Sequence, residues 1–129
     1  MEVMATWTKD ELNRIADAEE LELSPRRDDG SLRDAVTMWV VRDGEGLYVR
    51  SMHGREGVWF RRAQARHEGH VDAGGVSKDV SLGDASRDAG LNKRIDAAYR
   101  EKYRRFGPDV VGSIVNPGSR ASTIRLEPR

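Results

Sequence analysis

Residues 47–62 read Leu47-Tyr48-Val49-Arg50-Ser51-Met52-His53-Gly54-Arg55-Glu56-Gly57-Val58-Trp59-Phe60-Arg61-Arg62. The segment 47–52 alternates between apolar and other side chains, as a strand does, and the segment from residue 58 onward is typical of a short helix. Glycines flank the loop that separates the two. The stretch therefore predicts a strand, a short loop and the first turn of a helix.

Donor side chains crowd this junction and indicate a binding site. A helix N-terminus presents unpaired N–H groups and positive potential, so a strand-to-helix loop with added cations can hold an anion. Trp59 or Tyr48 would offer an aromatic surface beside it. No catalytic residue is assigned. The predicted cofactor-binding residues are Arg50, Ser51, His53, Gly54, Arg55, Trp59 and Arg61.

The same residues also allow a purely structural interpretation. Arg50 could pair with a carboxylate on a neighbouring strand. Trp59 could anchor the core, while Arg61 and Arg62 form a solvated face. On the residues alone, this structural interpretation is preferred.

The bulk composition narrows the class of protein. The chain has 129 residues, so we expect a single domain over residues 1–129. It has no cysteine, which excludes a cysteine nucleophile, a disulfide framework and a thiolate metal site. Lys and Arg together number 22, as do Asp and Glu. This balance argues against a nucleic-acid partner, because such binders usually carry a basic excess.

No part of the sequence predicts a membrane association. The chain lacks an apolar run of about 20 residues, which a membrane-spanning helix needs. Met1–Ala5 lacks the basic and apolar pattern that begins a signal peptide. We therefore expect a soluble cytoplasmic protein whose partner is a small-molecule ligand.

Working outward from residues 47–62, turn and periodicity signals divide the rest of the chain. Thr8-Lys9-Asp10-Glu11 fits a capping box and predicts the start of an N-terminal helix. Asp43-Gly44-Glu45-Gly46 predicts a hairpin. Residues 33–42 would place apolar side chains on both faces of a strand. They therefore predict one long strand that other parts of the protein cover on both sides. Helices are predicted at about 9–19, 58–67 and 90–106, and strands at about 20–24, 33–42, 47–52, 69–73, 76–82 and 122–127.

These elements predict the fold class. Consecutive hairpins favour an antiparallel sheet, and about six short strands tend to curl into a small barrel. The expected class is α+β or mainly β, with an N-terminal helix, a short helix after the third strand and a longer helix before the last strand. Residues 110–115 could add one or two helical turns.

Other chemistries are disfavoured. His67 and His70 have the spacing of a metal pair, but one ends a predicted helix, the other lies in a strand, and no third ligand accompanies them. No metal site is therefore expected. A serine hydrolase is also disfavoured. Ser51 and His53 are near in sequence, but the alternation of a strand does not position them for proton transfer. A Gly-x-Ser-x-Gly motif is absent.

Three separated segments carry a resemblance to known proteins: residues 47–51 followed by Gly54 and residues 59–61, residues 97–103, and residues 123–128. Together they resemble a family of small bacterial proteins of unassigned function. The resemblance spans about Trp7 to Pro128 and is moderately specific. More distantly, the chain is similar to the split barrels that bind flavins and deazaflavins, including pyridoxamine-phosphate-oxidase-like proteins and deazaflavin-dependent nitroreductases.

The resemblance implies a split barrel that binds FMN or a deazaflavin, with an oxidoreductase-like role. In such proteins, basic residues near the loops hold the cofactor phosphate, often across a homodimer interface. The corresponding pieces here are Gly30–Arg33, Met38–Val40, Tyr48–Val49 and Val58–Arg61.

One departure from that pattern supports an alternative. Asp28 and Asp29 occupy the centre of a turn that is basic in the deazaflavin proteins. Two carboxylates beside a phosphate cost about 1 kcal/mol or more each, even when solvated. This leaves the junction at Ser51–Arg62 as the better phosphate site. It equally supports a split barrel that binds no cofactor and serves as a non-catalytic module for a small ligand or a protein.

Overall fold

The computed structural model describes residues 6–129, so the signal-peptide prediction at Met1–Ala5 lies outside the described residues. Short 3₁₀ turns occur at Gly54–Glu56 and Arg104–Phe106. The helices are α1 Lys9–Asp17, α2 Val58–Arg66, α3 Ala89–Lys102, α4 Pro108–Gly112 and α5 Pro117–Arg120, and the strands are β1 Leu21–Pro25, β2 Val36–Met38, β3 Val41–Asp43, β4 Gly46–Val49, β5 Glu68–Ala73, β6 Val76–Asp84 and β7 Ile124–Pro128.

All seven strands join one antiparallel sheet in the order β2-β1-β5-β6-β7-β4-β3. The sheet curls around one apolar core, which α1 and α2 complete, and α3 and α4 pack on its outer face around a second core. This is the predicted α+β antiparallel split barrel. The strand count is seven rather than about six, because the predicted long strand is two strands.

Local signals placed most elements correctly. The Thr8 hydroxyl accepts a hydrogen bond from Glu11 N, and the Glu11 carboxylate accepts one from Thr8 N, as the capping box predicts. Gly44 takes the left-handed conformation, φ +58°, in the predicted hairpin between β3 and β4. The longer helix ends at Lys102 rather than near Phe106 and continues as a 3₁₀ turn. Helix α5 was not predicted.

The prediction of one continuous strand over residues 33–42 was wrong. It breaks at Trp39 and Val40, where the backbone bonds to side chains of α3 and its C-cap instead of a neighbouring strand. Val40 N donates to the Tyr103 hydroxyl at 3.1 Å, and Lys102 Nζ donates to Val40 O at 2.7 Å. The Trp39 ring stacks on Tyr103 with a centroid distance of 4.0 Å. Strand β2 therefore pairs with β1 at one edge of the sheet, and β3 with β4 at the other.

No helix within residues 6–129 combines the length and apolar character needed to cross a bilayer. The cytoplasmic location stays a prediction.

The bond between Val40 and Tyr103 gives a testable consequence. We expect Tyr103→Phe to lower the free energy of unfolding by about 1–3 kcal/mol, because it leaves the buried Val40 N–H without an acceptor. Tyr99→Phe is the matched control: the Tyr99 hydroxyl is buried without a partner, so its loss should cost less than about 0.5 kcal/mol. Urea denaturation of both variants measures the difference. Equal losses would contradict this role of Tyr103.

Candidate functional site

A cavity of about 330 Å³ opens between β2, the loop after β4, α2 and α4. We call it the main cavity. Its walls are largely apolar and include the rings of Trp39 and Trp59, and its volume lies at the lower end of the range for small-molecule sites. Its lining residues are Glu20, Val36, Thr37, Met38, Trp39, Arg50, Ser51, Met52, His53, Trp59, Val110, Ser113 and Ile114.

A second cavity of about 230 Å³ adjoins the first. We call it the arginine groove. The two cavities share Val36, His53 and Trp59, so a single ligand could extend from one to the other. The residues that line the groove alone are Pro25, Arg33, Asp34, Gly57, Val58 and Arg62.

The groove places two arginines at the start of α2. Within residues 6–129, neither Arg33 nor Arg62 has a side-chain ion pair, and Arg33 Nε is buried without a hydrogen-bond acceptor. Gly57 is the N-cap of α2, and no side chain caps the helix. The first N–H groups of a helix lack intrahelical acceptors, so they add to the positive potential. Asp34 is the acidic residue of this lining.

Glycines allow the loop between β4 and α2 to pack tightly. Gly54 has φ +64°, and a Cβ there would lie 2.9 Å from the carbonyl oxygen of Gly118. A Cβ at Gly57 would collide with Ser51 Oγ. The sequence therefore brings the α2 N-terminus against the buried Ser51 only because both positions lack a side chain.

Arg50 lies inside the protein rather than free in the cavity. Its side chain is fully buried, and its five N–H donors have five acceptors within reach. It is paired with Asp96 of α3, not with a carboxylate on a neighbouring strand. The contacts run from Nη1 to Asp96 Oδ1 (2.5 Å) and Ile114 O (3.2 Å), from Nη2 to Asn92 Oδ1 (2.8 Å) and Asn92 O (3.3 Å), and from Nε to Thr123 Oγ1 (2.9 Å).

Two neighbouring residues offset part of the cost of burying the Arg50 charge. Asp96 uses its other oxygen to accept from Arg120 Nε at 2.8 Å, so one carboxylate serves two guanidinium groups. The Tyr99 ring lies below Arg50, 5.5 Å from the guanidinium carbon to the ring centroid. Burial raises the pKa of Tyr99, which keeps the phenol neutral. Arg50 thus lines the main cavity, but its N–H donors already have acceptors within the chain. The cofactor contact predicted for Arg50 would need at least one of these donors to be free.

The remaining predicted residues separate into two groups. His53 and Trp59 line both cavities, and Ser51 lines the main cavity. The backbone N–H of Ser51 donates a hydrogen bond to Ser122 Oγ at 2.9 Å. Gly54 shapes the loop. Arg55 and Arg61 line neither cavity.

Arg55 is turned toward β6 and β7. Its Nη1 donates to Ala121 O at 2.8 Å and lies 3.4 Å from Asp84 Oδ2. Burial opposes ionisation of Asp84, but hydrogen bonds from Ser86 and Arg55 lower its pKa overall, so the pair is charged. Arg55 is therefore a half-exposed side chain that links the loop to the ends of α5 and β6.

Arg33, Arg62 and Trp39 line these cavities but are not among the predicted cofactor-binding residues, although Arg62 belongs to the junction that was predicted to hold a phosphate. Helical spacing was the signal for Arg62, because it lies three residues after Trp59 and so shares its face, whereas Arg61 points elsewhere. Arg33 and Trp39 lie in the two segments that matched the split-barrel pattern. The acidic turn does not approach either cavity: Asp29 accepts from Ser31 N and Oγ, and these hydrogen bonds lower its pKa.

No group of three or more histidine or acidic side chains within residues 6–129 is arranged to hold a metal ion. His67 ends α2 in the left-handed conformation, and His70 lies on β5.

Solved structures of low sequence identity have the same fold. A candidate pyridoxamine 5′-phosphate oxidase from Listeria innocua is 17% identical, with a TM-score of 0.63 over 92% of this chain and 90% of that one. HutZ, the heme storage protein from Vibrio cholerae, is 16% identical, with a TM-score of 0.62 over 91% of this chain and 86% of that one. An FAD-binding protein from Mesorhizobium loti is 15% identical, with a TM-score of 0.58 over 99% and 94%. The predicted split-barrel resemblance is confirmed at the level of the fold.

Sequence comparison gives one family. A profile described as an uncharacterized protein conserved in bacteria, DUF2255, matches residues 11–126. A search of curated proteins found no match.

The buried position of Arg50 predicts a loss of stability on its removal. Arg50→Ala should lower the free energy of unfolding by about 3–5 kcal/mol, because it removes one partner of a buried ion pair and leaves several acceptors unpaired. Arg61→Ala, at an exposed position, should change it by less than about 0.5 kcal/mol. Chemical denaturation measures both. If Arg50→Ala kept full stability and lost only ligand affinity, Arg50 would be a ligand contact after all.

Proposed function

We propose that this chain, which belongs to the DUF2255 family of uncharacterized bacterial proteins, binds a flavin-type cofactor. The aromatic ring of the cofactor would occupy the main cavity and its phosphate the arginine groove. The observation that carries the proposal is that the two cavities share Val36, His53 and Trp59, with Trp39 lining one of them and Arg33 and Arg62 lining the other.

The main cavity suits a planar aromatic ring. Trp39 and Trp59 offer indole faces or edges, and offset-stacked or edge-to-face contacts with another ring are favourable. Met38 and Ile114 add apolar surface that excludes water. Ser51 and His53 are polar groups of the lining that would orient the ring.

The arginine groove suits a phosphate. Arg33 Nε is buried without an acceptor, which is costly unless a ligand supplies one. Arg62 and the uncapped start of α2 converge on the same groove. Charge-assisted hydrogen bonds from guanidinium groups and helix N–H groups are the usual way in which proteins hold phosphate.

Flavins and deazaflavins carry the electron or hydride chemistry themselves, and the protein supplies position and exclusion of water. The proposed role is therefore oxidoreductase-like, with FMN or a deazaflavin as the cofactor. The fold neighbour described as FAD-binding supports a flavin, whereas HutZ makes heme the competing ligand to exclude.

We also propose a homodimer that closes this site. Three large apolar side chains of the two linings are exposed: Met52 is 62% exposed, Val58 61% and Val110 47%. Met52 and Val110 line the main cavity, and Val58 lines the arginine groove. Exposed apolar residues clustered in this way are typical of interaction surfaces.

A second candidate function is a small-ligand module that holds no flavin. The observation favouring it is that two predicted cofactor contacts, Arg50 and Arg55, already have acceptors within the chain. The binding experiment below separates the two candidates.

For the cofactor, we expect the protein to bind FMN or a deazaflavin with quenching of its flavin or tryptophan fluorescence and an increase in Tm. Arg33→Ala combined with Arg62→Ala should weaken binding about tenfold or more, because two charged contacts to the phosphate are lost. Arg61→Ala, outside both cavities, is the matched control and should bind normally.

A colourless protein that shows no thermal shift with FMN, FAD or a deazaflavin would sink the flavin proposal. So would a Soret band with hemin in the absence of any flavin binding.

For the dimer, Val58→Glu should shift the molar mass measured by light scattering from two chains to one and weaken cofactor binding. The new carboxylate would lie unpaired in the apolar interface. Leu32→Glu changes an exposed apolar residue outside both cavities and should leave the mass unchanged. A monomeric wild-type chain would contradict the dimer.

A further inference from the structure

The outer face of the β5–β6 hairpin carries a second cluster of polar side chains. In the ladder, His70 lies directly opposite Asp79, and Asp72 opposite Ser77. Alternation places all four on the solvent side, because Val71 on β5 and Val76 and Val80 on β6 point the other way and belong to the apolar core. The cluster belongs to different strands from the cofactor cavities.

Three of these side chains form a hydrogen-bonded chain. His70 Nδ1 lies 2.9 Å from Asp79 Oδ1, and His70 Nε2 lies 2.7 Å from Ser77 Oγ. Since the Asp79 carboxylate can only accept, Nδ1 carries the proton and Nε2 is free to accept from the Ser77 hydroxyl. A hydroxyl on an imidazole that a carboxylate orients is the arrangement of an activated nucleophile.

Two neighbours strengthen this arrangement. The hydrogen bond from His70 lowers the pKa of Asp79, and Arg26 adds to the effect from 3.0 Å, so Asp79 is held as a carboxylate. Asp72 Oδ2 lies 3.7 Å from His70 Nε2, close enough to stabilise the imidazolium that forms when His70 takes a proton.

A polar cavity of about 430 Å³ begins at Asp79. Arg26, Arg66 and Arg129 line it together with Glu68 and Asp79. Arg26 pairs with Asp79 at 3.0 Å, and Glu68 pairs with Arg66 at 3.6 Å and with Arg129 at 2.8 Å. The lining therefore has three guanidinium groups for two carboxylate side chains. Ser77 lies two residues from Asp79 along β6, or about 7 Å. An ester that carries an anionic group could place that group among the arginines and its carbonyl near Ser77.

We propose that Ser77, His70 and Asp79 form a nucleophilic serine centre that acts on carboxylic esters bearing an anionic group. Ser77 Oγ bonds to the ester carbonyl carbon, and its proton passes to His70 Nε2. The carbon–oxygen bond of the ester breaks, and the leaving alkoxide takes the proton from His70 and departs as an alcohol. Water gives a proton to His70 and its oxygen bonds to the acyl carbon. The bond between that carbon and Ser77 Oγ breaks, His70 returns the proton to Oγ, and the carboxylic acid is released. The reaction is a hydrolysis and needs no oxidant or cofactor.

The test is acylation of the full chain by p-nitrophenyl acetate and by p-nitrophenyl succinate, which carries a carboxylate. We expect release of p-nitrophenol, and peptide mapping should place the acyl group on Ser77. Ser77→Ala should abolish the adduct, and His70→Gln and Asp79→Asn should slow its formation about a hundredfold, the usual contribution of a general base. The succinate ester should react faster than the acetate.

Ser81→Ala is the matched control, because Ser81 lies on the same face of β6 but bonds to no histidine. It should react like the wild type. The proposal is overturned if acyl groups appear only on lysines or the N-terminus, if Ser77→Ala keeps the full rate, or if His70→Gln, shown to be folded by its Tm, acylates Ser77 as fast as the wild type. Because no flavin takes part, this result is independent of the cofactor proposal.

Discussion

The buried guanidinium of Arg50 is the constraint on which the rest of the structure depends. Taking this charge out of water is costly, and the cost is offset only if every donor finds an acceptor in good geometry. Those acceptors come from α3, from the segment after α4 and from the residue before β7. The elements on the outer face of the sheet must therefore be in register with the end of β4 before Arg50 can be buried. A hydrophobic contact would tolerate small shifts here, whereas this network does not.

The sequence predicted the elements whose determinants are local. The capping box at Thr8 and Glu11 and the glycine hairpin before β4 each act over a few residues, and both were correct. The break at Trp39 and Val40 was not visible, because side-chain alternation continues through it. Its cause is Tyr103, 63 residues away from Val40.

The candidate site shows the same division between local and distant determinants. Ser51, His53 and Trp59 reach the main cavity because one strand–loop–helix unit carries them. The sequence left Arg50 open between a cofactor contact and a structural ion pair, and the carboxylate that it pairs with, Asp96, lies 46 residues later. The sequence around Arg33 could not predict that this side chain lines the arginine groove. The groove forms only where β2 lies beside the start of α2, which is distant in sequence.

The two edge strands of the sheet, β2 and β3, are joined by the dipeptide Trp39-Val40 alone. From Met38 to Val41 the chain makes three steps, which reach at most about 11 Å. The open side of the barrel lies between β2 and β3, and covalent bonds hold these two strands together at one end. The strands can therefore separate only by rotating about residues 39 and 40. Trp39 belongs to this connecting dipeptide and also lines the main cavity. Any separation of β2 from β3 must therefore rotate the Trp39 indole. The opening of the barrel and the shape of the main cavity change together.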